Sequence, residues 1–286
     1  MTGRTARKKP SATRARLDAE LVRRKLARSR EQAAELIAAG RVLVNGEAAA
    51  KAATQVTRDT PIIVRTDDGD PGYVSRGGHK LAGALAAFGD LAVAGRTALD
   101  AGASTGGFTD VLLRAGAAHV VAVDVGYGQL AWSLRTDPRV TVRDRVNVRS
   151  LEPGQAVGPD GRRPDLVVGD LSFISLSLVL PALVASVAED ADFVLMVKPQ
   201  FEVGKGRVGT GGVVRDGQLR AEAVASVAAT AAGLGLGVRG VAASPLPGPA
   251  GNVEYFVWLR RGAPPLDDED LRRAIAEGPH TEPDQT

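Results

Sequence analysis

The chain has 286 residues, 44% of them hydrophobic, and a formal net charge of +3, which suits one ordinary domain plus a small one. The absence of cysteine excludes disulfides, thiolate nucleophiles and zinc–thiolate sites, and the three histidines lack the spacing of a metal site. Because the sequence shows neither a secretory signal nor an apolar run long enough for a bilayer, we expect a cytoplasmic protein without a membrane partner.

Charge is distributed unevenly along the chain. Residues 1–30 are rich in arginine and lysine, whereas residues 263–286 are rich in aspartate and glutamate. A basic amino-terminal arm is typical of nucleic-acid binders, the alternative being a merely solvated tail. Residues 1–13 and the acidic tail 263–286 lack apolar periodicity and are predicted to be disordered.

Residues 14–66 predict a small α+β domain. Leu17 and Leu21 recur at helical spacing, and Ser29 with Gln32 forms a capping box that opens a second helix. Asn45-Gly46 is a strong hairpin signal between short strands.

The same segment resembles the small RNA-binding domain shared by a primary small-subunit ribosomal protein and many pseudouridine synthases. The matching motifs are Arg16-Leu17-Asp18, Ser29-Arg30 and the run from Ala38 to Gly46. The resemblance implies that four arginines line the face that meets RNA phosphates, the alternative being ordinary surface charge. These are Arg14, Arg16, Arg30 and Arg41.

Residues 67–76 read as a polar linker, and residues 77–262 alternate strands with helices. Such alternation predicts a doubly wound, mostly parallel α/β sheet. The fold class is therefore a Rossmann-like domain with a seven-stranded sheet, preceded by the small α+β domain.

The second domain is organised around the glycine-rich turn of residues 100–110, which lies between a buried strand and a helix. A dinucleotide site would need Gly-x-Gly-x-x-Gly, and Asp100 would repel a pyrophosphate. An acid at that point favours a cationic or zwitterionic ligand such as S-adenosylmethionine, whose ribose hydroxyls Asp124 can bind at the tip of the next strand. Glycines required only for packing are the alternative interpretation.

Charged side chains follow several predicted strands: Asp100, Asp124, Asp170, Lys198 and Glu254. Ligands of such sheets bind at the carboxyl ends of the strands, so these groups favour an active site there. A lysine can take a proton from a hydroxyl only when burial or a second cation favours its neutral form. Lys80 provides that second cation for Lys198, and Asp170 can orient the amine.

These residues lie in motifs that resemble the Lys-Asp-Lys-Glu tetrad of FtsJ-type ribose 2′-O-methyltransferases. Lys80 stands in Ser-Arg-Gly-Gly-His-Lys-Leu, Asp170 in Gly-Asp-Leu-Ser-Phe-Ile-Ser, Lys198 in Val-Lys-Pro-Gln-Phe-Glu and Glu254 in Gly-Asn-Val-Glu-Tyr-Phe. With the amino-terminal domain, the chain resembles the TlyA family of bacterial rRNA cytidine 2′-O-methyltransferases, long labelled haemolysins. The family implies methylation of a cytidine in 16S rRNA of the 30S subunit and, in some members, in 23S rRNA of the 50S subunit.

The resemblance implies a role for each residue. Lys198 accepts the proton of the 2′-hydroxyl, Asp170 orients Lys198 and the methyl group, and Lys80 and Glu254 complete the charge network. We expect Phe173 and Phe201 in the core, with stacking on a splayed base as the alternative. The predicted cofactor-binding residues are Asp100, Gly102, Ser104, Thr105, Gly106, Gly107, Phe108, Asp124 and Asn147.

Three other interpretations remain. The enzyme could methylate another RNA, the fold could be a catalytically silent ribosome assembly factor, or the chain could be a pore-forming haemolysin. The complete tetrad argues against the second, and the lack of an amphipathic or long apolar segment argues against the third. We expect a monomer that needs no metal.

Overall fold

The computed structural model describes residues 14–65 and 71–279. The predicted disordered arm, residues 1–13, lies outside the described residues, as do residues 67–70 of the predicted linker. The chain divides into two compact units, Met1–Gly72 and Tyr73–Thr286. Each unit is described by itself.

The first unit packs two helices against short antiparallel ladders. Leu17, Leu21, Ala33, Ile37 and Val42 form its core. The predicted Asn45-Gly46 turn is present, with both residues at positive φ (53° and 90°), as a tight hairpin requires. The elements are Ala15–Arg16 (β1), Leu17–Arg23 (α1), Arg30–Ala38 (α2), Val42–Val44 (β2), Glu47–Ala48 (β3), Gln55–Val56 (β4) and Ile62–Val64 (β5).

The second unit alternates strands and helices, as the sequence predicts. Its first part comprises Arg76–Ala87 (α3), Thr97–Ala101 (β6), Gly107–Arg114 (α4), His119–Asp124 (β7), Trp132–Arg135 (α5), Val140–Asp144 (β8) and Pro153–Ala156 (α6). Its second part comprises Leu166–Gly169 (β9), Leu176–Ser186 (α7), Asp192–Val197 (β10), Pro199–Glu202 (α8), Gly217–Gly233 (α9), Leu236–Ala243 (β11), Tyr255–Arg261 (β12) and Asp268–Glu277 (α10).

The strands of this unit form one seven-stranded sheet in the order β11-β12-β10-β9-β6-β7-β8. The five strands from β10 to β8 run parallel, and β12 runs antiparallel between β10 and β11. Helices cover both faces, so β6 and β10 are buried along their whole length. The predicted doubly wound, mostly parallel sheet is confirmed.

A separate hydrophobic core lies on each face of the sheet. One core joins α3 and α4 to the sheet through residues such as Leu81, Phe108 and Leu112. The other joins α7, α9 and α10 through residues such as Leu180 and Val227. Because helices cover both faces of the sheet, a ligand binds where the strands end rather than on a face.

The prediction that residues 263–286 are disordered is wrong for their described part. Residues Asp268–Glu277 form α10, whose Leu271 and Ala274 pack into the core. Asp267 caps this helix by accepting hydrogen bonds from the backbone N–H groups of Glu269 and Asp270. Three of the acids that suggested disorder, Asp268, Glu269 and Asp270, lie in the first helical turn, where the helix dipole stabilises negative charge.

Among the described residues, no helix is both long enough and apolar enough to cross a membrane.

Candidate active site

The sheet register brings the predicted charged residues to one edge. Asp170 directly follows β9, and Lys198 directly follows β10, a parallel neighbour. Glu254 directly precedes β12, which is antiparallel to β10, so its amino end lies at the same edge. The ladder ends at the pair Val197 and Tyr255. Lys198 and Glu254 are therefore the next residues outward on neighbouring strands.

Lys198 is held by two oxygen atoms. Its Nζ lies 2.6 Å from Oδ1 of Asp170 and donates to Oγ of Ser172 at 2.8 Å. The Lys198 side chain is only 9% exposed. Its amine is therefore fixed in direction at the carboxyl end of β10.

The second lysine forms a buried ion pair. Nζ of Lys80, on α3, lies 2.5 Å from Oε2 of Glu254 and 4.0 Å from Sδ of Met196. Within the described residues, Oε1 of Glu254 has no hydrogen-bond partner although the side chain is 1% exposed. The structure thus groups the tetrad as two ion pairs on adjacent strand ends.

The glycine-rich turn adopts a conformation that glycine favours. Gly102 and Gly106 have φ of +84° and +98°, and Ser104 between them has φ of +48°. The backbone N–H of Ser104 donates to Oδ2 of Asp124 at 2.8 Å, and that of Gly126 donates to Oδ1 at 2.7 Å. These bonds fix the Asp124 carboxylate at the tip of β7, beside the turn.

Asp100 lies inside the protein beneath the turn. Its Oδ2 accepts a hydrogen bond from Thr109 Oγ1 at 2.6 Å, whereas its Oδ1 has no partner among the described residues. Burial raises the pKa of Asp100 to about 7, and the nearby carboxylates of Asp170 and Asp124 also raise it. A positive charge placed nearby would stabilise the ionised form.

Other predicted cofactor residues have roles in packing or capping. A Cβ on Gly107 would lie 2.3 Å from Oγ of Ser75, so this glycine permits close packing of α4 on α3. Phe108 is buried, with its ring centroid 6.0 Å from that of Phe256. Asn147 is exposed and caps the short helical turn that follows it, accepting from the N–H of Arg149.

The expectation that Phe173 lies in the core is wrong. Its side chain is 90% exposed, and its backbone has a φ of +64°. Phe201 is partly buried, and the two ring centroids are 5.3 Å apart. Phe173 faces outward in the loop after Asp170. On either side of it, Ser172 accepts a hydrogen bond from Lys198 and Ser175 donates one to Glu202.

Two residues of the quoted motifs hold this loop and were missed in the sequence. Ser172 bonds to Lys198, as described above. Glu202 accepts hydrogen bonds from Oγ of Ser175 at 2.5 Å and from the N–H of Leu176 at 2.8 Å. Burial raises the pKa of Glu202. Both residues occur within the motifs around Asp170 and Lys198, which is the signal that could have identified them.

In the first unit, a buried acid joins two of the predicted phosphate-binding arginines. Arg16 donates to both carboxylate oxygens of Asp18, and Arg30 donates to Oδ2 at 2.9 Å. Side chains of Arg16 and Arg30 remain 47% and 60% exposed. Arg41 donates to the carbonyl of Arg65, and Arg14 is exposed at the start of the described chain.

The site fits the methyl donor S-adenosylmethionine, which carries an ammonium and a sulfonium cation. The carboxylates of Asp170 and Asp124 both lie close enough to Asp100 to contribute to its raised pKa, after burial. The partnerless Oδ1 of Asp100 and the fixed carboxylate of Asp124 provide acceptors for cationic and hydroxyl groups. A ligand site at the carboxyl ends of a doubly wound sheet, with these acceptors beside its glycine turn, favours the class of methyltransferases that use S-adenosylmethionine.

Comparison with known proteins agrees with this class. The model of the FtsJ-like methyltransferase family matches residues 73–261, and that of the S4 domain matches residues 15–62. The chain is 63% identical over 274 residues to the 16S/23S rRNA (cytidine-2′-O)-methyltransferase TlyA of Mycobacterium tuberculosis, covering 94% of this chain and 100% of the relative. It is 32% identical over 254 residues to the 23S rRNA (cytidine-2′-O)-methyltransferase TlyA of Campylobacter jejuni, covering 83% and 96%.

A solved structure from Streptococcus thermophilus that carries the name hemolysin superposes with a TM-score of 0.74 at 37% identity, covering 93% of this chain and 96% of that one. The chain belongs to the FtsJ-like methyltransferases, and within them to the TlyA family.

Proposed function

We propose that this enzyme methylates the ribose 2′-oxygen of a cytidine in rRNA. The 16S rRNA of the 30S subunit is the proposed substrate, with the 23S rRNA of the 50S subunit as a second one. The relatives named for this reaction and the S4 match support the substrate class. With rRNA as substrate, the expected location is the cytoplasm.

The main support for this proposal is the position of the Lys198 amine between Asp170 and Ser172. A neutral amine has two N–H donors and one lone pair. Oγ of Ser172 accepts a hydrogen bond from Nζ of Lys198, and the carboxylate of Asp170 lies 2.6 Å from the same amine as its ionic partner. In its neutral form the amine has a lone pair, which can accept the proton of a ribose hydroxyl.

The reaction balances with this one base. Bound S-adenosylmethionine supplies an electrophilic methyl group and leaves as a neutral thioether. As the ribose oxygen forms its bond to the methyl carbon, its proton passes to Nζ of Lys198. Lys80 and Glu254 form a buried ion pair at the start of the neighbouring strand β12 and complete the charge network. Asp170 stabilises the ammonium that forms.

Phe173 is proposed to stack on the base of the target nucleotide. Sequence-specific RNA recognition commonly uses unstacked bases that are splayed out and stacked on aromatic side chains. Phe173 is exposed, lies one residue after Ser172 and has Phe201 behind its ring. Its left-handed backbone is strained for a residue with a side chain, and such strain is common at functional sites.

The two domains divide the work in this proposal. The small domain, residues 14–66, binds rRNA phosphates through Arg14, Arg16, Arg30 and Arg41. Such contacts provide affinity and register but do not select the nucleotide. The catalytic domain, residues 77–262, holds the cofactor through the turn at Gly102, Ser104, Thr105 and Gly106 and through Asp124.

The test is transfer of labelled methyl to four substrates from cells that lack this enzyme. These are 30S subunits, 50S subunits and the 16S and 23S rRNAs extracted from them. Label recovered on a cytidine ribose after nuclease digestion would support the proposal. Label on a base, or on no rRNA by protein that binds the methyl donor, would reject it, and the latter result would favour the silent assembly factor.

A further inference from the structure

Asn252 is a buried amide that lies two residues before Glu254, in the motif Gly-Asn-Val-Glu-Tyr-Phe. It belongs to the β11–β12 loop, residues 244–254, and is only 2% exposed. Burying an amide costs free energy unless its polar atoms are hydrogen-bonded. The partners of this amide therefore show which part of the chain it holds.

Both polar atoms of the Asn252 side chain bind one neighbouring segment. Its Oδ1 accepts from the backbone N–H of Val214 at 2.9 Å, and its Nδ2 donates to the carbonyl of Gly212 at 2.9 Å. An asparagine amide supplies one acceptor and one donor for these two partners, whereas a carboxylate has no donor. The segment belongs to the connection between α8, which directly follows Lys198, and α9.

The segment that Asn252 binds is itself anchored. Val213 and Val214 are buried, and the carbonyl of Val214 accepts from Nε of Arg220, on α9, at 2.9 Å. Asn252 therefore attaches the loop before β12 to a fixed part of the protein.

The backbone of Asn252 shapes the surroundings of the Glu254 carboxylate. Its carbonyl accepts a hydrogen bond from the N–H of Gly248 at 2.9 Å. A Cβ on Gly248 would lie 2.6 Å from Oε1 of Glu254, so the backbone of this glycine lies against the carboxylate. The hydrogen bond from Gly248 to Asn252 thus helps to set where the carboxylate can lie.

The β11–β12 loop also contacts the helix that carries Lys80. Gly83 lies three residues after Lys80 on α3, and a Cβ at Gly83 would be 2.7 Å from Cγ of Pro245. At the start of the loop, the N–H of Ser244 donates to the carbonyl of Glu254 at 2.8 Å. The loop therefore touches both elements that supply the Lys80–Glu254 ion pair.

We propose that Asn252 is a positioning residue for the tetrad: it fastens the β11–β12 loop to the α8–α9 connection and so fixes the Glu254 carboxylate against Lys80. The inference rests on the proposed function, since it assigns a supporting role in the same reaction. Without the amide, the loop is released from Gly212 and Val214, and the carboxylate moves with it. A displacement of about 1 Å in a reacting site can cost about a hundredfold in rate.

Kinetics of methyl transfer to rRNA test this role. Asn252→Ala removes both side-chain hydrogen bonds, and Asn252→Asp keeps the size but places an oxygen against the carbonyl of Gly212. Each variant should lower kcat by about tenfold to a hundredfold. The Kd for S-adenosylmethionine, measured by calorimetry, should stay within a few-fold of that of wild type.

Trp258→Phe is the control for a general loss of stability. It removes a buried hydrogen bond on the same strand but away from the loop, from Nε1 to Oδ1 of Asp192 at 2.8 Å. Its kcat should be close to that of wild type. A wild-type kcat in both Asn252 variants, or an equal decrease in the control, would overturn the proposal.

The double variant Asn252→Ala/Gly248→Ala separates positioning from independent structural damage. Both substitutions displace the same carboxylate, so kcat of the double variant should lie within about threefold of the lower single variant. Independent effects would multiply instead, and a multiplied decrease would contradict the role of Asn252.

Urea unfolding tests the same contact without methyl transfer. Lys80→Met leaves Glu254 without its partner, and the resulting loss of stability is measured in wild type and in Asn252→Ala. We expect the loss to be smaller by about half in Asn252→Ala, because the released carboxylate can already reach water. Equal losses would reject positioning by Asn252.

The two proposals fail in different ways. If wild type methylates no rRNA while the two losses of stability differ, only the proposed function is rejected. If wild type methylates rRNA while the two losses are equal, only the role of Asn252 is rejected.

Discussion

Nζ of Lys80 lies 2.5 Å from Oε2 of Glu254, and both side chains are more than nine-tenths buried. A charge buried to this degree must be paired, because its loss of hydration is otherwise uncompensated. The pair joins α3 to the start of β12, beside the strand end at which Lys198 follows β10. The stability of the fold and the proposed catalytic tetrad therefore depend on the same ion pair.

Lys80→Met should destabilise the protein strongly, by about 3–5 kcal/mol, because it leaves Glu254 buried without its partner. The double variant Lys80→Met/Glu254→Leu removes both charges and should recover most of that loss. Urea unfolding measures both values. Methyl transfer should be lost in both variants. A single variant as stable as wild type would show that the pair is not needed to compensate Glu254.

Gly248→Ala should reduce kcat without removing any functional group. A Cβ at this position would lie 2.6 Å from Oε1 of Glu254, so the carboxylate must move and its bond to Lys80 must change. Gly154→Ala is the matched control, since no atom lies within 4 Å of its Cβ position. We expect a decrease of at least tenfold in kcat for the first and none for the second. Equal kcat values would exclude a role for Glu254 geometry.

Asp100 should make stability depend on pH in a defined direction. Its pKa is raised by burial to about 7, above the ordinary value near 4, so the folded state binds the proton more tightly than the unfolded state. Its contribution to stability is complete below about pH 4 and is lost as the pH rises through about 7. The loss is on the order of 4 kcal/mol.

Asp100→Asn tests this dependence, because the amide oxygen can still accept from Thr109 but cannot titrate. Its free energy of unfolding should fall less than that of wild type between pH 4 and 7. A cationic ligand favours ionised Asp100, so S-adenosylmethionine should release a proton from wild type at pH 6 and not from the variant. Calorimetry in buffers of different ionisation enthalpy measures this release. Matching profiles for the two proteins would contradict the assignment.

Arg16→Ala and Arg30→Ala should weaken rRNA binding to a similar extent for different RNA sequences, because phosphate contacts carry no sequence information. Each variant should lower the slope of log affinity against log salt by about 1. Arg58→Ala removes the same charge from another exposed position in this unit and is the control. Salt slopes that do not differ from that of the control would reject the proposed phosphate-binding face.

The sheet and its charged edge could be predicted because parallel strands repeat a simple pattern. Apolar runs ending in Asp124, Asp170 or Lys198 mark strand ends, and the topology of such sheets brings those ends to one edge. Glu254 was harder to place by pattern alone, since it precedes an antiparallel strand. The motif Gly-Asn-Val-Glu-Tyr-Phe identified Glu254 as a site residue, which the hydrophobic periodicity could not do.

Features set by tertiary contacts could not be predicted in this way. The acidic sequence of α10 is typical of a disordered tail, and the segment is ordered because Leu271 and Ala274 pack into the hydrophobic core. The exposure of Phe173 depends on a loop whose Ser172 and Ser175 form hydrogen bonds with Lys198 and Glu202, which are distant in sequence. The link of Arg16 and Arg30 through Asp18 likewise depends on how α2 packs beside α1. These contacts join residues that are distant in sequence, so local secondary-structure propensity does not predict them.

In the proposed reaction Lys198 accepts the proton of the ribose hydroxyl, and labelled methyl transfer to unmodified subunits tests this role most directly. Wild type, Lys198→Ala and Lys198→Arg would be compared, each shown by calorimetry to bind S-adenosylmethionine. Arginine keeps the positive charge but cannot act as a base at neutral pH. We predict transfer by wild type alone, with at least a hundredfold loss in both variants. Transfer by Lys198→Arg near the wild-type rate would contradict the account, because a fixed cation would then suffice.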